Sequence, residues 1–286
     1  MLKTRIITAL VSLLIVLIAL FAFPAWAWGI FTLVIVTAAF WEWGRLCSLA
    51  APWNVIYPFF TAILMAVIFL AYTWGSVIGI EFSALKLVGF ALSAIFWVAF
   101  APLWLFKSWR PASPALRIAA GWLVIFPTWL AFLSLRDVSP WLLLSFAAIV
   151  WVADIAAYFA GRRFGKHKLA PAISPGKTVE GAVGGIVGVI LFFFAWQYLT
   201  ASSPVRNDEW VLALHSRNGI LFALFMLLTV LSVLGDLFES WMKRGAGMKD
   251  SSNLLPGHGG ILDRIDALTS TLPIAGLYVM FMARAT

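Results

Sequence analysis

Between residues 240 and 266 the chain crowds charges of both signs around a glycine pair. The segment reads SWMKRGAGMKDSSNLLPGHGGILDRID, with four basic residues, three carboxylates and one histidine, in a chain that is only 11% charged. Cations beside glycines, where backbone N–H groups can approach a ligand, suit phosphate, and carboxylates suit a divalent metal. The segment therefore predicts a site for phosphate and metal.

A polar stripe precedes this segment. Asp236, Glu239, Ser240 and Lys243 are spaced i, i+3, i+4, i+7, so they share one face of a helix. A carboxylate inside a membrane span costs about 2.5–3.5 kcal/mol, so it faces a partner or a cavity. A structural ion pair would also explain the stripe. If a re-entrant loop follows, Asp236 can approach Asp263 and hold Mg²⁺ together with ligand phosphates.

A second polar segment lies between residues 154 and 181. Its Gly176-Lys177-Thr178 resembles the end of a P-loop, but Pro171 stands where that motif requires glycine. We predict Ser174 as a helix N-cap, with Lys177 and Thr178 in the first helical turn, which is an anion site. The alternative is that the basic residues only mark a cytoplasmic loop.

The elements that must position these residues are membrane helices. The 286-residue chain is 63% hydrophobic, which predicts an all-α, polytopic integral membrane protein. Residues 1–27 imitate a signal peptide, but the long apolar run predicts an uncleaved first helix. The lone Cys47 allows no internal disulfide, and packing explains it. About nine stretches are long enough to span a bilayer: 5–23, 25–41, 54–73, 84–106, 115–135, 139–161, 179–199, 217–242 and 263–283.

The distribution of Lys and Arg predicts the orientation of these spans. With a cytoplasmic N-terminus, fifteen of the twenty basic residues fall on the cytoplasmic side. Both polar segments then lie on that side, where nucleotides are found. Few charges occur within the spans before residue 139, so we predict a transmembrane scaffold over 1–138 and a catalytic region over 139–286. The basic residues sit in short gaps between apolar runs, which argues against nucleic acid as a partner.

Residues 240–266 resemble the signature of the phosphatidate cytidylyltransferase (CDP-diacylglycerol synthase) family. The pattern S-x-h-K-R-x4-K-D-x-small-x2-h-P-x-H-G-G-h-x-D-R-h-D, in which h is apolar, is matched at every fixed position. The segment SPGKTVEG, residues 174–181, also resembles that family. The resemblance is close over the C-terminal half only.

The resemblance implies that CTP and phosphatidate give CDP-diacylglycerol and pyrophosphate, with a Mg²⁺ requirement and a homodimer. It also implies the bacterial inner membrane, with the active site on the cytoplasmic side. A second, monovalent cation stays open. The implied catalytic residues are Asp236, Asp263, Lys249, Asp250 and Asp266, with Asp236 and Asp263 as metal ligands. The implied substrate-binding residues are Ser174, Lys177, Thr178, Glu180, Ser240, Lys243, Arg244, His258, Gly259, Gly260 and Arg264.

Two alternatives stay open at this point. A CTP-dependent polyprenol or lipid kinase would transfer the γ-phosphate instead of the cytidylyl group. An anion transporter would use the cationic loops as a gate, although paired inverted halves are not evident in the sequence.

Overall fold

The structure, a computed structural model, describes residues 2–78, 82–203 and 208–283. It confirms the all-α prediction, since 81% of the described residues are helical. The helices are α1 (Leu2–Ala22), α2 (Ala25–Leu46), α3 (Trp53–Ile78), α4 (Ser83–Ile95), α5 (Ala101–Phe106), α6 (Pro114–Val138), α7 (Pro140–Phe164), α8 (Val179–Ser202), α9 (Glu209–His215), α10 (Asn218–Gly245) and α11 (Leu262–Ala283).

The predicted spans coincide with these helices. Eight helical segments of the described chain are long and apolar enough to cross a bilayer. They correspond to the second through ninth predicted spans, with α4 and α5 forming one segment from residue 83 to 106. The first predicted span lies on α1, which is apolar over Ile7–Ala22. The connection between α8 and α10 contains α9, and its residues 204–207 lie outside the described residues.

A β-hairpin before α8 was not predicted. Strand β1 (Lys168–Ala170) pairs antiparallel with β2 (Ser174–Thr178). The prediction of Ser174 as N-cap is therefore wrong, because α8 begins at Val179 and the Thr178 hydroxyl accepts the Gly181 N–H at 3.1 Å. Lys177 accordingly lies at the end of a strand and not in a helical turn.

Glu180 closes the base of this hairpin. Its carboxylate accepts the backbone N–H of Lys166 at 3.0 Å and that of His167 at 3.2 Å. The carboxylate also lies 2.6 Å from the His167 Nδ1. These bonds tie the residues just before β1 to the first turn of α8. They thereby hold the hairpin that carries Lys177.

Helices α7 and α8 pack closely through small residues. Gly184 lies so near Ala160 that a Cβ in its place would lie 2.2 Å from the Ala160 Cβ. Small residues allow such close approach of helix backbones in membrane proteins. The hairpin that joins these two helices is therefore held beside the C-terminal end of α7.

An aromatic cluster fixes the C-terminal half of α10. The ring of Phe238 meets those of Phe96, Trp97 and Trp104 edge-on, at centroid distances of 5.3, 5.5 and 5.4 Å. A π-helical segment, Phe96–Phe100, joins α4 to α5 and carries two of these rings. This packing sets the position of Glu239, the next residue of the polar stripe.

Candidate functional site

Asp263, in the first turn of α11, holds the loop between α10 and α11 through both oxygens of its carboxylate. Its Oδ1 lies 2.5 Å from the Lys243 ammonium. Its Oδ2 accepts the Gly260 N–H at 2.7 Å, the Ser251 N–H at 3.0 Å and the Ser251 hydroxyl at 2.9 Å. Both oxygens are thus engaged by the protein, and the side chain is only 5% exposed.

Lys243 joins the two helices that flank the loop. Its ammonium pairs with Glu239, one turn earlier on α10, and with Asp263 at the start of α11. The Lys243 side chain is 10% exposed, so one cation offsets two nearly buried carboxylates. Breaking such a pair leaves an uncompensated charge in a poorly solvated place. The predicted polar stripe therefore exists, and at this point its contacts are internal to the protein.

Glu42 on α2 anchors the same loop from the other side. Its carboxylate is completely buried, and its Oε1 accepts the Ser252 hydroxyl at 2.5 Å and the Ile261 N–H at 3.0 Å. Its Oε2 accepts the Leu262 N–H at 2.6 Å and shares the one proton of the Ser251 hydroxyl, 3.0 Å away, with Asp263. Glu42 therefore satisfies N–H groups at the beginning of α11, which the helix itself leaves without partners.

The glycine pair of the loop makes these contacts possible. Gly259 has φ +81°, the left-handed region that favours glycine, and a Cβ there would lie 2.6 Å from Asp263 Oδ2. Gly260 packs directly against Ser251 and Glu42, which leave no room for a Cβ. The glycines thus bring the backbone close to two carboxylates of the protein.

The polar segment of residues 154–181 contacts the polar stripe of α10 at Lys177 and Asp236. The Lys177 ammonium lies 2.7 Å from Asp236 Oδ2, and the Ser240 hydroxyl donates to Asp236 Oδ1 at 3.3 Å. Arg244 adds a second link, because its Nε donates to the Ile173 carbonyl of the hairpin at 3.4 Å. The pair is accessible, with Asp236 33% and Lys177 24% exposed.

Lys177 and Asp236 line a cavity of about 400 Å³ between α7, α8 and α10. This volume is in the range of small-molecule sites. Asp154, Tyr158 and Arg162 from α7 contribute the other polar groups. Space for the cavity comes from small residues on the facing helices, namely Ala153, Ala157, Gly161, Gly181, Ala182 and Gly185.

The remaining candidates divide between exposed and enclosed positions. Lys249 and Asp250 are exposed, and neither forms a side-chain hydrogen bond or ion pair with any described residue. Asp266 lies one turn after Asp263 on α11 and within electrostatic range of Asp236. His258 and Arg264 line a second, largely apolar cavity.

The fit of Mg²⁺ can be judged from the carboxylates. Asp236 and Asp154 offer hard oxygen donors on the wall of an accessible cavity, as Mg²⁺ requires, with phosphate oxygens and water completing six ligands. Within the described residues, no three histidine, cysteine or carboxylate side chains already converge as a metal site. Asp263 can join a metal only if Lys243 releases its Oδ1.

Similarity to known proteins extends over almost the whole chain. A family model described as "Cytidylyltransferase family" matches residues 3–282. The chain belongs to the cytidylyltransferase family. It is 36% identical over 301 residues to a phosphatidate cytidylyltransferase of Haemophilus influenzae, covering 99% of this chain and 100% of that protein. It is also 36% identical over 290 residues to one from Pseudomonas aeruginosa, covering 96% and 95%.

A third relative matches a shorter stretch. The phosphatidate cytidylyltransferase of Brucella suis is 44% identical over 131 residues, which is 46% of this chain and 44% of that protein. The match of the cytidylyltransferase family to residues 3–282 extends the expected resemblance, which was close only in the C-terminal half. The N-terminal helices therefore belong to the family as well.

Three carboxylates of the site were absent from the predicted set of site residues. Asp154 lines the cavity beside Asp236, Glu239 pairs with Lys243, and Glu42 holds the loop. Asp154 and Glu239 were detectable as charges within predicted spans. The role of Glu42 depends on a contact across 220 residues of sequence, and no local pattern indicates it.

Proposed function

We propose that the protein is a phosphatidate cytidylyltransferase, which converts CTP and phosphatidate into CDP-diacylglycerol and pyrophosphate. The observation that carries the proposal is the ion pair on the wall of one cavity between Lys177, from the segment 174–181, and Asp236, which lies one helical turn before the segment 240–266. Full-length similarity to phosphatidate cytidylyltransferases supports it.

The reaction needs little covalent chemistry from the protein. An oxygen of the lipid phosphate attacks the α-phosphorus of CTP in line, and the bond to the bridging oxygen breaks as pyrophosphate leaves with its electron pair. Catalysis then consists of positioning and of offsetting negative charge. Lys177 is the cavity cation best placed to contact a phosphate, because its present partner, Asp236, is itself exposed to the cavity.

Mg²⁺ would be held first by Asp236 and Asp154, and it would offset charge on the CTP phosphates and leaving pyrophosphate. Lys243 holds Asp263 through an ion pair, and Glu42 holds the loop through hydrogen bonds. Asp263, the second predicted ligand, would enter the metal shell on release from Lys243. Parallel Mg²⁺ titrations of Asp236→Asn and Asp263→Asn, with and without K⁺, separate these assignments and test for a second cation.

The test of function is label transfer by the purified full-length protein. With phosphatidate, Mg²⁺ and CTP labelled at the α-phosphorus, we expect label in the lipid and its loss with EDTA. Asp236→Asn should lower the rate on the order of a hundredfold, whereas Asp208→Asn, the same change at the exposed position just before α9, should not. Label in lipid only from γ-labelled CTP would instead show a lipid kinase.

Assembly and location complete the proposal. We propose a homodimer in the bacterial inner membrane, with the cavity open to the cytoplasm. The lysine and arginine distribution supports this orientation. Because Cys47 is buried, a Lys249→Cys variant offers one exposed thiol, which a membrane-impermeant reagent should label from the cytoplasmic side only. Light scattering in detergent measures the mass of the assembly.

A further inference from the structure

A second cavity, of about 320 Å³, lies between α1, α2 and α11. Its wall is mostly apolar, with Leu13 and Val16 from α1, Phe31 and Ile35 from α2, and Leu268 from α11. The lining residues of α1, from Ala9 to Val16, span on the order of 10 Å of helix axis. The cavity is therefore an elongated apolar space that begins at the loop and continues into the membrane region.

The polar end of this cavity is formed by His258 and Arg264. The Nδ1 atom of His258 is buried and has no hydrogen-bond partner within the described part of the chain. A buried polar atom without a partner is costly and indicates a missing ligand or water. Arg264 likewise forms no side-chain hydrogen bond or salt bridge with the described residues. The His258 Nδ1 atom and the Arg264 guanidinium therefore lie at an apolar cavity without a hydrogen-bond partner among the described residues.

The polar end also adjoins the first cavity. The Arg264 guanidinium lies within electrostatic range of Asp154, which lines the wall of the first cavity. A phosphate bound at Arg264 would therefore lie close to a nucleotide bound beside Asp236. Helix α1 forms the outer wall of the second cavity, and its Ile7, Leu10 and Leu14 are exposed on the other side.

We infer that this second cavity is the binding site of the acceptor lipid, with its phosphomonoester at Arg264 and His258 and one acyl chain between α1 and α2. A cavity with a cationic end and an apolar tunnel suits a lipid that has a phosphate head group and acyl chains. A soluble nucleotide has no acyl chain to fill the tunnel. A guanidinium binds a phosphate through two parallel hydrogen bonds. The inference rests on the proposed function for the identity of the lipid.

The experiment uses the full-length protein in detergent without CTP, so that binding is measured apart from catalysis. Phosphatidate with a photoreactive group in one acyl chain should label peptides of α1 and α2. Unlabelled phosphatidate should compete, while CTP and inorganic phosphate should not, and diacylglycerol should compete more weakly. Labelling confined to other helices, or competition by CTP at low concentration, would overturn the inference.

Two variants address the two ends of the cavity. Ser12→Trp fills the apolar part and, by excluding about two methylenes, should weaken long-chain phosphatidate roughly tenfold while leaving the KM for CTP unchanged. Leu14→Trp, on the same helix but facing away at 59% exposure, is the matched control. Arg264→Gln should weaken phosphatidate labelling roughly tenfold to a hundredfold and diacylglycerol competition little.

The outcomes separate the two proposals. If labelling falls on α1 and α2 but no CDP-lipid forms with CTP, the lipid site stands and the proposed reaction fails. If CDP-lipid forms but Ser12→Trp and Leu14→Trp have equal effects on the KM for phosphatidate, the reaction stands and the lipid site is wrong.

Discussion

Glu42→Gln is expected to loosen the loop of residues 246–261 while leaving the shape of the side chain nearly unchanged. Each Glu42 oxygen accepts one serine hydroxyl and one backbone N–H, from Ile261 or Leu262. Glutamine replaces one oxygen by an NH₂ group. The serine hydroxyl there can rotate and accept, but the backbone N–H can only donate.

The magnitude follows from this count. One buried N–H is left facing another donor, which costs about 1–3 kcal/mol. If the loop opens locally, that cost raises the population of the open state roughly 5- to 150-fold. Hydrogen exchange of the amides of residues 251–262, in the full-length protein in detergent, should accelerate by that factor. Amides in the middle of α10 should exchange as in the unaltered protein.

The effect on the reaction has a distinct signature. Asp263 is oriented by the same loop through Ser251 and Gly260, whereas the walls of the first cavity lie on α7, α8 and α10. Glu42→Gln should therefore lower kcat more than it raises the KM for CTP. Glu209→Gln makes the same chemical change at an exposed position and serves as control. Unchanged exchange at Ile261 and Leu262 would refute this account of the loop.

Two further variants probe the internal packing, and the native Cys47 probes the burial of the residue that follows α2. Lys243→Met should destabilise the protein by about 3–5 kcal/mol, measured by thermal unfolding in detergent, because two carboxylates lose their shared cation. Gly184→Ala should cost about 1–3 kcal/mol by forcing α8 from Ala160, while Gly219→Ala, which meets open space, should cost nothing comparable. Burial raises the pKa of the Cys47 thiol to about 12, so it stays protonated at pH 8, and maleimide should label it only after unfolding.

The helices were predictable because their signal is simple. A span is recorded in about twenty consecutive apolar residues, and each of the last eight predicted stretches coincides with a helical segment. The hairpin of residues 168–178 gave no such signal. Its KLAPAISPGKT sequence is rich in proline and lacks the alternation of apolar and polar residues that marks a strand. Ser174 and Thr178 are both good N-caps by residue type, and only the hairpin contacts decide between them.

The sequence indicated residues of the candidate site, but it did not indicate which of them contact one another. Lys177 and Asp236 were both predicted site residues, and their direct pairing required the fold. The predicted second span ended at residue 41, just before Glu42, whereas α2 continues to Leu46 and buries Glu42. Even with the correct boundary, the sequence would not indicate that Glu42 anchors the loop, because its contacts join residues 209 to 220 positions apart. In the structure the small size of Gly259 and Gly260 makes room for Asp263 and Glu42, and their predicted contact with a ligand stays a prediction.

These contacts divide the charged residues of the candidate site into two classes. Lys243 and Asp263 have their charges balanced by the protein, so their loss acts first on the stability of the loop. Lys177, Asp236 and Arg264 face cavities, so their loss acts first on ligands. Loss of activity alone cannot distinguish the classes, because both would abolish the reaction. The distinction requires that hydrogen exchange and ligand binding be measured on the same variants, with the first class changing exchange and the second changing binding alone.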